Sequence, residues 1–420
     1  MGLTLAEKIL SRRLGREVHA GEIVVTEVDM ATVQDGTGVL TFDMIRELMG
    51  KDMVKYPRRA MLVLDHMGPA ARPEYSNMHK RLREFAATTG AILEDVGSGI
   101  SHLLLAEKYV KPGDIVVGAD SHTSTAAGLA AFATGMGSTD IAIAMALGKT
   151  WFRVPETMRF ILKGKLQPGV YSKDIILHII ERIGEDGAAY KAMEYAGDTV
   201  PTLSMDARFT MTSMAQEVGA KLGLFPSDEQ TRAFLARQGR EKDWQPLAAD
   251  PDATYEQTLE INVSRLEPLV CVPHTPGNVK PISEVAREGI HVDQVFLGTC
   301  TNGRLEDLRV AAGILKGKRV APGTRFLIYP GSRGVYQQAL AEGLVQMFVD
   351  AGAVFGSPAC GPCPGWQFGL LGDGEVCLAT QNRNFKGRLG NPKSFVYLSS
   401  PAVAAASAIA GKIVDPRPYL

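Results

Sequence analysis

The chain has 420 residues, of which 45% are apolar and 22% are charged, proportions that are ordinary for a soluble globular protein. Its 45 lysines and arginines nearly balance its 46 aspartates and glutamates, which gives no electrostatic basis for nucleic acid or an anionic membrane as main partner. Five cysteines are too few for a disulfide framework. In a reducing compartment, paired cysteines more often bind metal or act in catalysis.

The N-terminal segment has the pattern of a helix and not that of a targeting signal. Thr4 and Glu7 are spaced as a capping box, and residues 1–10 contain neither a long apolar run nor a small-residue cleavage site. No window approaches the roughly 18 uninterrupted apolar residues that a membrane-spanning helix needs. We therefore expect a cytoplasmic protein without a membrane partner.

Short apolar segments alternate along the chain with segments of helical periodicity. Residues 401–413 are predicted to form a helix. Buried strands are predicted at 60–64, 114–118, 158–162, 292–297, 324–329 and 394–398. This alternation predicts an α/β fold with mostly parallel sheets.

Changes in composition predict two domain boundaries. One lies near residues 151–155, and the other lies within 273–289, where Pro273-His-Thr-Pro-Gly277 has the composition of a linker. The segment 226–255 is polar, charged and poor in strand signals, so we expect it to run over the protein surface. Three α/β domains are expected, covering residues 1–155, 156–285 and 286–420.

Polar and ionisable residues directly follow five apolar runs. In open α/β sheets, ligands bind in the crevice beyond the carboxyl ends of the strands, so we expect these residues to line one cleft. They are Asp65-His66, Asp120-Ser121-His122, Cys300 to Arg304, Cys360-Gly-Pro-Cys363, and Asn382 to Arg388. This recurrence is a stronger signal than any single motif.

The cysteines predict a metal centre. Cys360 and Cys363 have chelate spacing, and Cys300 lies on a similar loop far away in sequence. Three thiolates would leave one iron of a four-iron cluster open to substrate oxygens, where it acts as a Lewis acid. Structural zinc and a redox pair are alternatives that the spacing alone leaves open. Cys271 and Cys377 have apolar neighbours and are predicted to be buried, inert thiols.

Three of the eight histidines lie in turns rich in glycine or acid, namely His66, His102 and His122. A neighbouring carboxylate holds an imidazole in one tautomer and raises its pKa, which suits the ring to proton transfer near neutral pH. A histidine satisfied by hydrogen bonds is the alternative for each, and we expect it for the other five. Arg383 and Arg388 are predicted either to grip carboxylates or to form a solvated basic loop.

Taken together, seven ordered segments resemble the aconitase superfamily over essentially the whole chain. They are Val63–His66, Gly97–His102, Gly118–Thr123, Met214–Gly219, Gly298–Asn302, Ala359–Cys363 and Asn382–Arg388. By length the chain is similar to the large subunits of the 3-isopropylmalate dehydratase and homoaconitase group. The resemblance implies three α/β/α domains around a central iron–sulfur cleft.

The resemblance also implies roles for particular residues. It implies a [4Fe-4S] cluster, with one iron lacking a protein ligand, on Cys300, Cys360 and Cys363. Catalytic carboxylate–imidazole pairs are implied for Asp65 with His66, Asp120 with His102, and Glu217 with His122. Positions that bind substrate or steady the cluster match Ser121, Asn382, Arg383 and Arg388. Ser213 departs from the asparagine of many relatives, and residues 35–38 align too loosely with a substrate loop for any assignment.

The implied activity is that of a hydro-lyase, which isomerises a 2-hydroxy di- or tricarboxylate by dehydration and rehydration. We expect 2-isopropylmalate as the substrate, in leucine biosynthesis; the substrates of homoaconitase and of dimethylmalate or citraconate-type hydro-lyases are alternatives. An iron-sensing RNA-binding relative is disfavoured because RNA binding needs a broad basic surface. Single-chain relatives continue into a swivelling domain with a serine base and an arginine, so we expect these on a separate small subunit.

Overall fold

This computed structural model describes residues 2–420. Its helices are α1 Leu5–Leu14, α2 Asp35–Met49, α3 Pro73–Thr89, α4 Ser101–Leu104, α5 Ser138–Leu147, α6 Ser172–Ile183, α7 Met205–Met214, α8 Glu229–Arg237, α9 Ile282–Val285, α10 Thr299–Asn302, α11 Leu305–Leu315, α12 Arg333–Ala341, α13 Leu344–Asp350 and α14 Pro401–Ala410. Tighter helical segments include Ser121–Leu129 and Ala215–Val218.

The strands alternate with these helices. They are β1 Ile23–Glu27, β2 Met30–Gln34, β3 Ala60–Val63, β4 Ile92–Glu94, β5 Ile115–Gly118, β6 Phe132–Gly135, β7 Lys149–Arg153, β8 Thr157–Lys163, β9 Ala192–Ala196, β10 Leu222–Leu224, β11 Gln257–Asn262, β12 Leu269–Cys271, β13 Val279–Pro281, β14 Gln294–Leu297, β15 Arg325–Ile328, β16 Val354–Phe355, β17 Val376–Ala379 and β18 Phe395–Ser399.

The chain divides into two compact units. Unit 1 comprises the described part of Met1–Val96 with Ser101–Lys163 and Ala188–Ile261. Unit 2 comprises Gly97–Ile100, Gly164–Gly187 and Asn262–Leu420. The expected first domain, 1–155, falls almost entirely in unit 1, and the expected third domain, 286–420, falls in unit 2. The division into three domains stays a prediction.

Unit 1 contains a five-stranded parallel sheet in the order β4-β3-β2-β5-β6. Every residue of β2, β3 and β5 is buried, as expected for a parallel sheet covered on both faces. A four-stranded sheet, β10-β9-β8-β11, and the antiparallel pair β1 and β7 belong to the same unit. The parallel sheet aligns the carboxyl ends of β3 and β5, where the polar residues of the sequence motifs follow.

Unit 2 contains a seven-stranded sheet in the order β13-β12-β18-β17-β14-β15-β16. Its strands run parallel except at one edge, where β12 is antiparallel to both β13 and β18. Helix α14 packs against α11, and small alanines along it let the two helices approach closely. Gly411, at φ +68°, ends α14 in the left-handed conformation that glycine adopts without strain.

The sequence predictions of local structure are largely confirmed. All six predicted strands are present, with ends displaced by one or two residues, and the capping box at Thr4 and Glu7 opens α1. The predicted surface course of 226–255 was wrong in part, because α8 lies within this segment and buries Phe234 and Leu235 in the core of unit 1. Within residues 2–420, every helix is too short or too polar to cross a membrane.

Candidate active site

Unit 1 holds a set of imidazoles and carboxylates beyond the ends of β3 and β5. Asp65 and His66 follow β3, and Asp120 follows β5. Asp120 is the N-cap of the helical segment Ser121–Leu129, where its carboxylate accepts a hydrogen bond from the backbone N–H of His122 over 2.8 Å. His102 lies in α4 and is buried. Three segments of the chain therefore supply these residues.

Asp120 is the centre of the set. Its carboxylate oxygens lie 3.3 Å from His66 Nε2, 3.1 Å from His102 Nε2 and 3.6 Å from His122 Nδ1. The other ring nitrogen of His66, Nδ1, lies 2.8 Å from Asp65. His66 is therefore in contact with a carboxylate at both of its nitrogens.

Glu217 joins the same set from the segment that follows α7. It lies in the turn Ala215–Val218, and its Oε1 lies 2.9 Å from His122 Nε2. Both side chains are buried. The structure thus brings each of the three expected carboxylate–imidazole pairs within 3.1 Å, whereas the catalytic roles of these residues stay a prediction. Ser121, next to Asp120, is half-buried at the start of its helical segment.

The imidazoles keep the carboxylates ionised. Burial raises the pKa of Asp120, but His102 above all, with His122 and His66, outweighs burial and holds that pKa well below its ordinary value. At Asp65 burial is opposed in the same way by His66 and by the backbone N–H of Ser101, and the net pKa is lowered. Two anionic groups therefore flank His66, one at each ring nitrogen.

One atom of this set has no protein partner among residues 2–420. His102 Nδ1 is buried and makes no hydrogen bond within that range, although His102 Nε2 contacts Asp120. Buried polar atoms are almost always hydrogen-bonded in folded proteins. The atom is therefore a place where a bound ligand or water would find a polar contact.

Unit 2 contains the three predicted thiols, and two of them contact the same amide side chain. Cys300 lies in α10, directly after β14, and Cys360 and Cys363 lie in the turn after β16. Each cysteine is buried, with 6% of its surface exposed. Asn382 Nδ2 donates a hydrogen bond to Cys300 Sγ over 3.4 Å, and Asn382 Oδ1 lies 3.9 Å from Cys363 Sγ. One amide side chain thus contacts two of the sulfurs.

The turn between Cys360 and Cys363 is tight. The backbone N–H of Cys363 donates to the carbonyl of Cys360 over 3.4 Å. Gly361 has φ +58°, and a Cβ there would approach the Tyr329 ring to 2.9 Å. Only glycine satisfies both constraints without strain.

The surroundings of these thiols fit an iron–sulfur cluster. Arg388 Nη2 lies 3.4 Å from Cys363 Sγ, so a guanidinium donor faces this sulfur. Amide and guanidinium donors to sulfur are also the contacts that tune such clusters. By contrast, burial raises the pKa of Cys271 and that of Cys377 to about 12, so these two thiols stay protonated, as predicted. Residues 2–420 contain no disulfide.

The turn that carries Asn382 is supported by Lys173, a residue that the sequence analysis missed. Lys173 is fully buried near the start of α6. Its Nζ donates hydrogen bonds to the carbonyl oxygens of Thr380 and Gln381, over 2.9 and 2.6 Å. A buried ammonium group is tolerated only with such acceptors. No sequence signal connects Lys173 to this turn, since about two hundred residues separate them.

The two arginines of the predicted site, Arg383 and Arg388, are half-buried on the same turn.

Comparison with known proteins identifies the family. The model of the aconitase family (aconitate hydratase) matches residues 7–411. The chain belongs to the aconitase family. This confirms the resemblance carried by the seven sequence segments. Membership of this family implies an iron–sulfur cluster, in agreement with the thiols of unit 2.

Relatives of this aconitase-family chain align over its full length. It is 55% identical to 3-isopropylmalate dehydratase large subunit 1 of Thermotoga maritima, with 100% of both chains covered. Identity and coverage are the same for the 3-isopropylmalate dehydratase large subunit of Elusimicrobium minutum. Large subunit 2 of the same enzyme from Archaeoglobus fulgidus is 52% identical over 420 residues. The words "large subunit" imply a separate small subunit in these enzymes.

A solved structure shows the same fold at low sequence identity. Aconitase X of Thermococcus kodakaraensis, in its holo form, aligns with a TM-score of 0.52 at 14% identity, covering 90% of this aconitase-family chain and 89% of the other. The likeness confirms the predicted α/β class with mostly parallel sheets.

Proposed function

We propose that this chain is the large, catalytic subunit of a hydro-lyase that converts 2-isopropylmalate to 3-isopropylmalate by dehydration and rehydration. The reaction belongs to leucine biosynthesis, and we place it in the cytoplasm. The observation that carries the proposal is the 55% identity, over the whole of both chains, to 3-isopropylmalate dehydratase large subunits. The ionisable set of unit 1 and the thiols of unit 2 are of the chemical types that this reaction needs.

Cys300, Cys360 and Cys363 are the proposed ligands of a [4Fe-4S] cluster in which one iron has no protein ligand. When bound, that iron supplies a Lewis acid for the hydroxyl and carboxylate oxygens of the substrate. The contacts of Asn382 with Cys300 and of Arg388 with Cys363 support a role for both side chains as hydrogen-bond donors to the ligating sulfurs. Donors of this kind tune the cluster.

His66 is the proposed donor of the proton that the departing hydroxyl requires. Its 2.8 Å contact with Asp65 keeps Nδ1 in place. Its contact with Asp120 is longer, 3.3 Å. Nε2 is therefore the nitrogen that gives up its contact with Asp120 and donates to the substrate hydroxyl. The hydroxyl then leaves as water and an alkene forms. On rehydration, water adds to the neighbouring carbon and gives one proton to His66, while the base that took the proton from carbon returns it to the carbon that lost the hydroxyl.

The remaining residues have supporting roles in the proposal. His102 and His122 keep Asp120 ionised, and Glu217 orients His122. Ser121 and Arg383 bind substrate carboxylates, because hydroxyl and guanidinium groups are suitable donors for them. The base that removes the proton from carbon is expected to be a serine of the small subunit, which also carries a further arginine. The holoenzyme is then a heterodimer or a multiple of it.

A substrate panel tests the proposed function. The chain is co-purified with its small subunit, reconstituted anaerobically with iron and sulfide, and assayed by alkene absorbance on 2-isopropylmalate, homocitrate, dimethylmalate and citramalate. We expect a clear preference for 2-isopropylmalate. A preference for another acid would change the proposed substrate. No activity on any of the acids, with an intact cluster, would overturn the hydro-lyase proposal.

A further inference from the structure

A second buried carboxylate–imidazole pair lies beside the main chain of His66 in unit 1. Asp35, the first residue of α2, is fully buried, and His79 in α3 is 2% exposed. Asp35 Oδ2 lies 3.0 Å from His79 Nε2. The same carboxylate accepts hydrogen bonds from the backbone N–H groups of His66 and Met67, over 3.1 and 2.9 Å.

We propose that Asp35 is a positioning residue for His66, and that His79 in turn orients Asp35. The inference rests on the proposed function, in which His66 moves a proton. The His66 ring is held by Asp65 and Asp120, whereas its main chain is held by Asp35. The ring and the main chain of His66 are therefore both held in place by carboxylates.

The local backbone explains why an acceptor is needed at this place. β3 ends at Val63, so the N–H groups of His66 and Met67 have no neighbouring strand to receive them, and a buried N–H needs an acceptor. A carboxylate has two oxygens and can serve both N–H groups while it still accepts from an imidazole. Neutral side chains of the same size lack that capacity.

The arrangement matters for the reaction because proton transfer depends on position. Misplacing a reacting group by about 1 Å can cost roughly 100-fold in rate. Asp35 lies at the start of a helix and His79 within another, and rigid elements hold a site more precisely than loops do. Asp35 and His79 thus connect the turn at His66 to two helices of unit 1.

The first test is Asp35→Asn in the reconstituted holoenzyme. The amide replaces one acceptor oxygen with a donor at almost unchanged volume, so at least one of the three contacts is lost. We expect kcat to fall about 10- to 100-fold, with KM nearly unchanged and cluster absorbance intact. The matched control is Asp43→Asn in the same helix, where the exposed carboxylate pairs with Arg81 over 2.7 Å; its kcat should equal that of the wild type.

A double variant separates positioning from a general structural role. If Asp35 acts through His66, Asp35→Asn should not lower the residual rate of His66→Ala any further, because coupled residues are not additive. An equal loss in both backgrounds would overturn the inference. So would an unchanged kcat in Asp35→Asn.

A further readout does not depend on activity. Diethyl pyrocarbonate modifies accessible imidazoles, and peptide mapping gives the rate at His66. We expect Asp35→Asn to accelerate modification at His66 several-fold and Asp43→Asn to leave it unchanged; equal rates would contradict the inference.

Should Asp35→Asn fail to fold, His79→Gln, which retains a donor toward Asp35, decides the question by the same readouts. An inactive wild-type holoenzyme would overturn the proposed function instead, while the modification rates would still test Asp35.

Discussion

The five cysteines show that burial alone does not identify a metal ligand. All five are buried. Cys363 has the guanidinium of Arg388 at 3.4 Å and the Asn382 amide nearby. Cys377 lies 3.9 Å from the neutral amide of Gln294, and burial raises its pKa to about 12. A guanidinium therefore lies beside Cys363, whereas a neutral amide lies beside Cys377, and donors to sulfur of the first kind are contacts that tune iron–sulfur clusters.

This difference predicts the outcome of two matched substitutions. After anaerobic reconstitution, Cys363→Ala should lose most of its iron and sulfide, because two remaining thiolates hold a cluster poorly. Cys377→Ala should keep the iron-to-protein ratio of the wild type, since it removes a buried thiol that is not among the proposed ligands. Iron and sulfide analysis of both variants is the measurement. Equal iron in the two variants would contradict the assignment of ligands.

Sequence reasoning found most of the candidate site residues, and its misses have physical causes. His66, Asp120 and Cys300 directly follow strands, and that signal is local. Asp35 directly follows β2 as well, but β2 contains Thr32 and Gln34, so its run is not continuously apolar and was not predicted. Lys173 has no such signal, because its acceptors are the backbone carbonyls of a distant turn.

At the scale of elements, two neighbouring strands begin beside a pair of carboxylates. Asp29, before β2, accepts from the backbone N–H of Ile115 over 2.9 Å. Asp114, before β5, accepts from the backbone N–H of Lys111 over 3.0 Å. The parallel pairing of β2 with β5 brings these acids together. Burial and then the charge of Asp29 raise the pKa of Asp114 to about 7, and Arg13 pairs with Asp29.

The raised pKa of Asp114 predicts a pH dependence of stability. An unfolded chain releases this proton near pH 3.9, whereas the folded chain retains it to about pH 7. Stability therefore falls as pH rises between these values, because the folded state binds more protons there. Asp114→Asn lacks this ionisation and retains an acceptor for Lys111. Its Tm should exceed that of the wild type by about 1–3 °C at pH 8 and by less at pH 5.

Calorimetry of the cluster-free chain at the two pH values measures this effect. Asp373→Asn is the control, because Asp373 is exposed, pairs with Lys393 and has a lowered pKa. It should give no gain in Tm at pH 8. A gain for Asp114→Asn that is the same at both pH values would point to packing and not to ionisation.

The elements themselves differ in how well their sequences predict them. Strands such as β3 and β5 are buried on both faces and therefore appear as continuous apolar runs. Helix α8 was missed because its buried residues are few and its other positions are charged or polar. An amphipathic helix within a polar segment has a weak signal, and its burial depends on the core that it covers.

At the scale of the whole molecule, the names of the relatives predict that activity needs two chains, a large and a small subunit. All three relatives described above are named large subunits. We expect the isolated chain to bind a cluster but to turn over 2-isopropylmalate poorly, because the proposed general base belongs to the small subunit. Adding the small subunit should raise kcat by at least about 100-fold, the usual contribution of such a base. Rapid turnover by the chain purified free of partner would contradict this.

The sequence by itself determined the α/β class, the positions of six of the eighteen strands described for residues 2–420, the aconitase family and the residue types of the candidate site. Each of these is encoded in contiguous residues, as periodicity or as a short motif. Only the tertiary structure decided that Asp120 meets three imidazoles, that Asn382 contacts both Cys300 and Cys363, and that Asp35 holds His66. Except for Asp120 and His122, these partners are far apart in the chain, and their distances are set by how the strands pair and how the helices pack, which no local pattern encodes.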